Sequence, residues 1–249
     1  MLVRCSSLGK IMTKARNKKD GLSVTAKSYI KEYVLAEKFG IYKEFSSRYT
    51  DKGNECEDES IKLVGDVLDV GFIYKNEEHF KNDFISGTPD VNTSNTLIDV
   101  KTSWNAITFP WFTENIPNKD YYYQLQGYMW LTGKTESLLV YCLIDTPELM
   151  LQDEIRREHW KLNKIEQDEE LEAEIRQKHT FDYIPKQRRI KSYLVKYDQQ
   201  VIDDIKEKVI LCREYAKELE QKLIIQTLSL IHISEPTRPL YISYAVFCL

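Results

Sequence analysis

Apolar residues recur at helical spacing in two early stretches of the chain. From Ser23 to Gly40, Ala26, Tyr29, Tyr33 and Ala36 share a face, and the glycine is placed to end the helix. From Gly53 to Gly71, Ile61, Val64 and Leu68 mark the buried stripe of a second helix. The period then shortens. HFKNDFISG (79–87) and NTLIDVKTSW (95–104) predict a strand pair joined through Gly87-Thr88-Pro89-Asp90. Asn118–Gly133 is an aromatic-rich helix closed by Gly133, and Glu136–Asp145 is almost wholly apolar, as suits a central strand covered on both faces. Residues 146–179 predict one long charged helix whose apolar positions sustain no heptad, so it reads as a solvated helix. An alternating strand (188–198) and a last full helix (198–226) complete the pattern. At the start, the serines of CSSLGKIM are placed to cap a short helix. Helices followed by strand–strand–helix–strand predict an α/β domain, a mixed β-sheet flanked by helices.

Composition narrows the function classes. The 249 residues suffice for one sizeable domain, and the net charge of −4 excludes a bulk electrostatic pull toward nucleic acid or anionic membrane. Any nucleic-acid binding must come from a local basic patch. Cys5, Cys56, Cys142, Cys212 and Cys248 are scattered with no CxxC pair, which argues against zinc fingers and iron–sulfur clusters and for a reducing compartment. No run of about twenty apolar residues offers a membrane span. The expectation is a soluble, cytoplasmic protein with no membrane partner.

The last 22 residues break the pattern. LSLIHISEPTR, from Leu228, reads as the in-frame translation of a transposon-end sequencing adapter, and ISYAVFCL as the flow-cell end of one. Residues 228–249 are therefore expected to be an assembly artefact, leaving residues 1–227 as a single domain whose natural C-terminus is missing.

The chemistry gathers between residues 86 and 104, SGTPDVNTSNTLIDVKTSW. On a strand, Asp99 and Lys101 point to one face and Val100 to the other. Asp90, at the end of the preceding strand, can return to meet them. Two converging carboxylates repel unless a cation sits between them, and hard oxygen donors suit Mg²⁺ or Mn²⁺. A surface Asp–Lys pair on an edge strand explains the same short pattern equally well.

Asp90 with Asp99-x-Lys101, preceded by Pro89, resembles the PD-(D/E)xK nuclease signature, and other motifs narrow the resemblance to the phage-type exonucleases (lambda exonuclease and the YqaJ-like viral recombinases). It implies a restriction-endonuclease-like core. Gly53-x-x-x-Glu57 matches the family's G-x-x-x-E helix, which makes Glu57 a metal carboxylate, with Glu55 and Glu59 as substitutes. Gln124-x-x-x-Tyr128 matches the helical Gln-x-x-x-Tyr that follows the D-x-K strand. Arg4 and Ser7 resemble the N-terminal pair that holds a terminal phosphate, with a plain helix cap as the competing reading of Ser7. The resemblance spans residues 4–145. It implies a Mg²⁺- or Mn²⁺-dependent exonuclease of linear duplex DNA, 5′-to-3′, serving phage-type recombination. Glu57, Asp90, Asp99 and the Val100 carbonyl would hold the metal, Lys101 would stabilise charge, and Gln124 would position Lys101 or the phosphate. Arg4, Ser7, Gln124 and Tyr128 would touch DNA. A single-strand annealing partner, a ring-like homo-oligomer and a virus-encoded origin come with the resemblance. The rival readings are an endonuclease of the same superfamily, restriction or junction-cutting, and a catalytically silent DNA-binding module.

Overall fold

The computed structural model describes residues 1–17, 20–43, 46–68, 70, 73–164 and 168–233, with side chains through residue 225. The chain enters its core at once. Val3, fully buried, lies in a two-residue strand, β1 (Val3–Arg4), and a 3-10 turn (Cys5–Ser7) leads into α1 (Leu8–Met12). In α2 (Val24–Phe39), Ser23 accepts the Ala26 N–H and Gly40 ends the helix at φ 64°, a left-handed conformation that glycine adopts without strain. Its buried centre is aliphatic, Ala26, Ile30 and Val34, with Tyr29 and Tyr33 packed alongside.

The expected second helix is two helices. A Ser47–Thr50 capping box starts α3 (Arg48–Glu55), and α4 (Glu57–Leu68) begins afresh after Cys56. Glu57, Asp58 and Glu59 fill the first turn of α4, where carboxylates favour the helix dipole. Ile61, Leu63 and Val64 are its buried positions; Leu68 is only half-buried.

The expected strand pair also divides. β2 (Phe80–Lys81) and β3 (Ile85–Gly87) are antiparallel and join β1 in a sheet of order β1-β3-β2. β4 (Val91–Asn92) and β5 (Leu97–Thr102) form a separate antiparallel pair at one side of a four-stranded sheet. Pro89 has no N–H to give a ladder, so the Gly-Thr-Pro-Asp segment carries the chain between sheets instead of closing one hairpin. After β5 comes α5 (Lys119–Thr132), capped by Asn118 and ended by left-handed Gly133; it crosses over to β6 (Glu136–Cys142), which runs parallel to β5.

Residues 146–179 form an antiparallel helix pair, not one solvated helix. In α6 (Glu148–Lys161) and α7 (Glu169–His179), Leu151 and Ile155 meet Leu171 and Ile175, and Arg176 clasps Glu148. The apolar positions that sustain no heptad pair across this hairpin. β7 (Ile190–Lys196) is antiparallel to β6, giving the order β4-β5-β6-β7 with β6 inside, as its apolar run requires. α8 (Gln199–Ile233) closes the chain and buries Ile202, Ile205, Val209, Cys212 and Ala216. Residues 234–249 of the anomalous tail lie outside the described residues.

The result is a mixed α/β fold with helices on both faces of the larger sheet. One core joins Leu97, Leu139, Tyr193 and Val195 to α1, α2, α5 and α8; the other joins Ile98, Val100, Val140 and Cys142 to α4. Odd-numbered residues of β5 therefore face α5, and even-numbered ones face α4. No helix among the described residues is long and apolar enough to cross a membrane.

Candidate active site

Strand alternation places Asp99 and Lys101 together on the α5 face, and Val100 is buried against α4. Lys101 Nζ lies 2.5 Å from Asp99 Oδ2, an ion contact short of a well-formed hydrogen bond, and donates to the Val100 carbonyl at 3.2 Å. Where β4 leaves the ladder, Asp90 returns as expected: its Oδ2 accepts the Val100 N–H at 2.8 Å. A side-chain carboxylate thus replaces a ladder partner and is fixed by the strand it serves.

The charges do not balance. Burial and the neighbouring Asp99 carboxylate push the Asp90 carboxyl up to about 7, with Lys101 opposing. Burial works against the Lys101 charge, but Asp99 and Asp90 outweigh it and hold the ammonium above the usual lysine range. Two buried carboxylates share one ammonium, an arrangement short of positive charge.

Glu57, Asp90, Val100, Lys101 and Gln124 line one cleft of about 600 Å³, with Asp99 beneath it, 1 % exposed. Tyr49, Thr50, Gly53 and Asn54 of α3 form one wall, and Tyr121 and Gln124 of α5 another. The Lys101 ammonium sits over the Tyr121 ring, 5.1 Å from its centre. Glu57 enters from the first turn of α4 because the helix restarts after Cys56; Glu55 and Glu59 are exposed and do not line the cleft. Among the described residues no three His, Cys, Asp or Glu side chains are gathered tightly enough to form a ready-made metal cluster. Glu57 is instead held by Lys75, 2.6 Å away. In kind, however, the donors fit a hard divalent cation: carboxylate oxygens and the Val100 carbonyl, around a buried Asp pair deficient in positive charge.

Three expected residues make contacts other than the ones foreseen. Gln124 does not reach Lys101; its Nε2 donates to Asp99 Oδ1 and to the Tyr128 hydroxyl, both at 3.0 Å. Tyr128, 5 % exposed, stands behind Gln124 and does not line the cleft; burial holds its phenol above the usual range. Ser7 is 9 % exposed, its hydroxyl makes no helix cap, and it pairs with Tyr29. Successive residues of a 3-10 turn point about a third of a turn apart, so Ser6 takes the cleft when Ser7 turns inward. Arg4 is exposed and near Tyr29, outside the cleft lining. The sequence pattern points to Ser7; it is Ser6 that lines the cleft.

Lys75 has no signal in the sequence. It belongs to a polar loop that Asn76 fastens to the Pro89-Asp90 backbone through N–H to Asp90 O (2.8 Å) and Nδ2 to Pro89 O (3.0 Å). His179 and His159 make local contacts away from the cleft. His179 is buried with Nδ1 2.9 Å from the Thr146 hydroxyl, and His159 lies against the Ile155 carbonyl.

No protein-family model matches the chain, and no curated protein is similar to it in sequence. Its fold and sequence are similar to the crystal structure of a phage-related exonuclease from Haemophilus somnus 129PT: 32 % identity over 90 % of this chain and 96 % of that one, TM-score 0.73. An alkaline exonuclease from Laribacter hongkongensis shares the fold at 15 % identity (TM-score 0.62, 92 % of this chain and 94 % of that one). A second structure of that enzyme, in complex with dAMP, matches at 17 % identity and TM-score 0.61 over the same shares.

Proposed function

The chain belongs to the phage-type exonuclease family of PD-(D/E)xK nucleases, and from that premise we propose that it is a metal-dependent exonuclease that digests linear duplex DNA from 5′ ends. The observation that carries the reading is the Asp90–Val100–Asp99–Lys101 cluster at the floor of one cleft, two buried carboxylates sharing a single ammonium. Asp90, Asp99, the Val100 carbonyl and Glu57 would hold Mg²⁺ or Mn²⁺. When bound, such an ion supplies a water of lowered pKa and offsets charge on the scissile phosphate.

The remaining work belongs to the chain's own groups. Gln124 locks the Asp99 carboxylate through Oδ1, leaving Oδ2 directed at Lys101. Lys101, its side chain 22 % exposed, is the group that can turn from Asp99 to a phosphate oxygen as charge develops there. Tyr121 beneath the ammonium limits where it can go. The hydroxyl available to a terminal phosphate is Ser6, not Ser7, and Arg4 remains the guanidinium that the resemblance assigns to the same group. A phosphate monoester offers nearly two negative charges to such donors, and a hydroxyl end offers none. A single-strand annealing partner, a ring-like assembly and a role in phage recombination extend the same proposal.

The test is digestion of labelled duplex, linear and circular, with 5′-phosphate or 5′-hydroxyl ends and with Mg²⁺ or EDTA. The expected outcome is Mg²⁺-dependent loss of the linear 5′-phosphate duplex only, abolished by Asp90→Asn and by Asp99→Asn while circular dichroism is unchanged. Cleavage of the circle would make it an endonuclease, and full rates in both variants would end the nuclease assignment of this cleft.

A further inference from the structure

We infer that Lys75 is an exchangeable counter-ion: it holds the Glu57 carboxylate in the free protein, and passes to a DNA phosphate when a divalent cation takes that carboxylate. The inference rests on the metal-dependent reading of the cleft. Lys75 Nζ is 2.6 Å from Glu57 Oε2, and Glu57 lines the cleft with Asp90 and Lys101. Lys75 occupies Oε2 and leaves Oε1 open, but an ammonium on the same carboxylate repels an incoming cation and draws off its negative charge, so cation binding at Glu57 favours release of Lys75.

The displaced ammonium stays close to Glu57, because its backbone is anchored. Its backbone is tied to the catalytic turn by the two Asn76 hydrogen bonds to Pro89 and Asp90, and Asn76 Nδ2 also donates to the Glu78 carbonyl at 3.1 Å. His79 adds another tie to the same turn, Nδ1 lying 3.0 Å from the Thr88 hydroxyl. The charges around Lys75 are mixed but mostly acidic: Glu57 binds it, Asp58 and Asp90 are close enough to favour its charge, and Asp58, Asp66 and Lys62 line the groove it borders. With 47 % of its side chain exposed, the freed group is in water beside Glu57, which lines the cleft, on a flexible stem. A polyanionic strand entering there meets a mobile ammonium whose former partner now faces a cation.

The test compares the full-length wild type with Lys75→Met, Lys75→Arg and Asp99→Asn, each checked for folding by thermal melting. Mn²⁺ binding without DNA is read by electron paramagnetic resonance. Duplex affinity is read by fluorescence anisotropy in Ca²⁺ across a salt series. Lys75→Met is expected to bind Mn²⁺ several-fold more tightly and DNA several-fold more weakly, with a log–log salt slope shallower by about one. Lys75→Arg should stay near wild type in both. Unchanged or weaker Mn²⁺ binding in Lys75→Met, or an unmoved DNA affinity and slope, would overturn the exchange alone, provided Asp99→Asn loses Mn²⁺. Mn²⁺ binding that Asp99→Asn leaves intact would overturn the metal reading and the exchange with it.

Discussion

Lys52 shows how a single residue near the cleft is held at a cost. It is wholly buried in α3, donates to the Trp104 carbonyl at 2.9 Å, and lies over the Trp104 and Phe181 rings. Burial lowers its pKa to about 8, with Cys56 and Asp145 opposing; His179, across the cluster, is itself lowered by burial and by Lys52. A lysine depressed in the fold binds fewer protons there than in the unfolded chain between about 8 and its ordinary value near 10.4. Stability from this group is therefore flat below pH 8 and rises with pH across that window. Cys56, raised to about 11 by burial, titrates in the opposite sense above its ordinary thiol value, so the contrast must be differential. Relative to Lys52→Met, wild type should gain about 2 kcal/mol between pH 7 and 9.5 in urea unfolding, the size of a shift of one to two pKa units. A difference independent of pH would mean that the buried ammonium stays charged throughout.

At the scale of elements, the cleft depends on how closely α1 and α5 approach. A Cβ on Gly9 would stand 2.7 Å from the Asp120 backbone Cα, and a second helix cannot move aside as a flexible side chain can. Gly9→Ala should therefore destabilise by about 1–3 kcal/mol in thermal or urea unfolding, outweighing alanine's better helix propensity. By contrast a Cβ on Gly53 meets nothing within 4 Å, which identifies that glycine with the open cleft and not with packing. Wild-type stability in Gly9→Ala would show that α1 can slide along α5. These contacts explain what was readable beforehand. The Asp90, Asp99 and Lys101 arrangement follows from strand alternation and one returning turn, both local rules, and the caps Ser23, Asn118, Gly40 and Gly133 bound their helices for local reasons too. The division into two sheets was not legible, because strands of two or three residues such as β1, β2 and β4 take their partners from tertiary packing. Nor was the direction of Ser6 over Ser7, which a 3-10 turn decides, or the place of Lys75, which hydrogen bonds from Asn76 set.

For the whole molecule the question is how much of α8 the fold uses. Its buried residues run from Ile202 to Ala216, and they join the core shared by α1, α2 and α5. Arg213 also binds the chain's beginning through the Met1 carbonyl at 3.1 Å, and it donates to the Asp83 carbonyl. Beyond that the character of the helix changes: Ile224 and Ile225 are 60 % and 64 % exposed. Among the described residues every buried position of α8 thus lies at least ten residues before Thr227, where the natural sequence is proposed to give way to translated adapter, and the last partly buried residues packed on the core are Leu219 and Leu223. A chain shortened to residue 227 keeps all of these contacts, so its melting temperature should match that of the full chain within about a degree, because the removed segment supplies none of the described core. Its solubility should be equal or better, since an apolar stretch without a designed partner is lost. Shortening to residue 208 instead removes Val209, Cys212, Arg213 and Ala216 together, and should cost more than 4 kcal/mol, the range reached when several buried side chains are deleted at once. Circular dichroism melts of the two shortened chains beside the full one decide the matter. If the chain ending at 227 melts well below the full chain, residues 228–249 are part of the fold and the adapter assignment fails; if the chain ending at 208 melts with it, α8 is an appendage and the three-layer core holds without it.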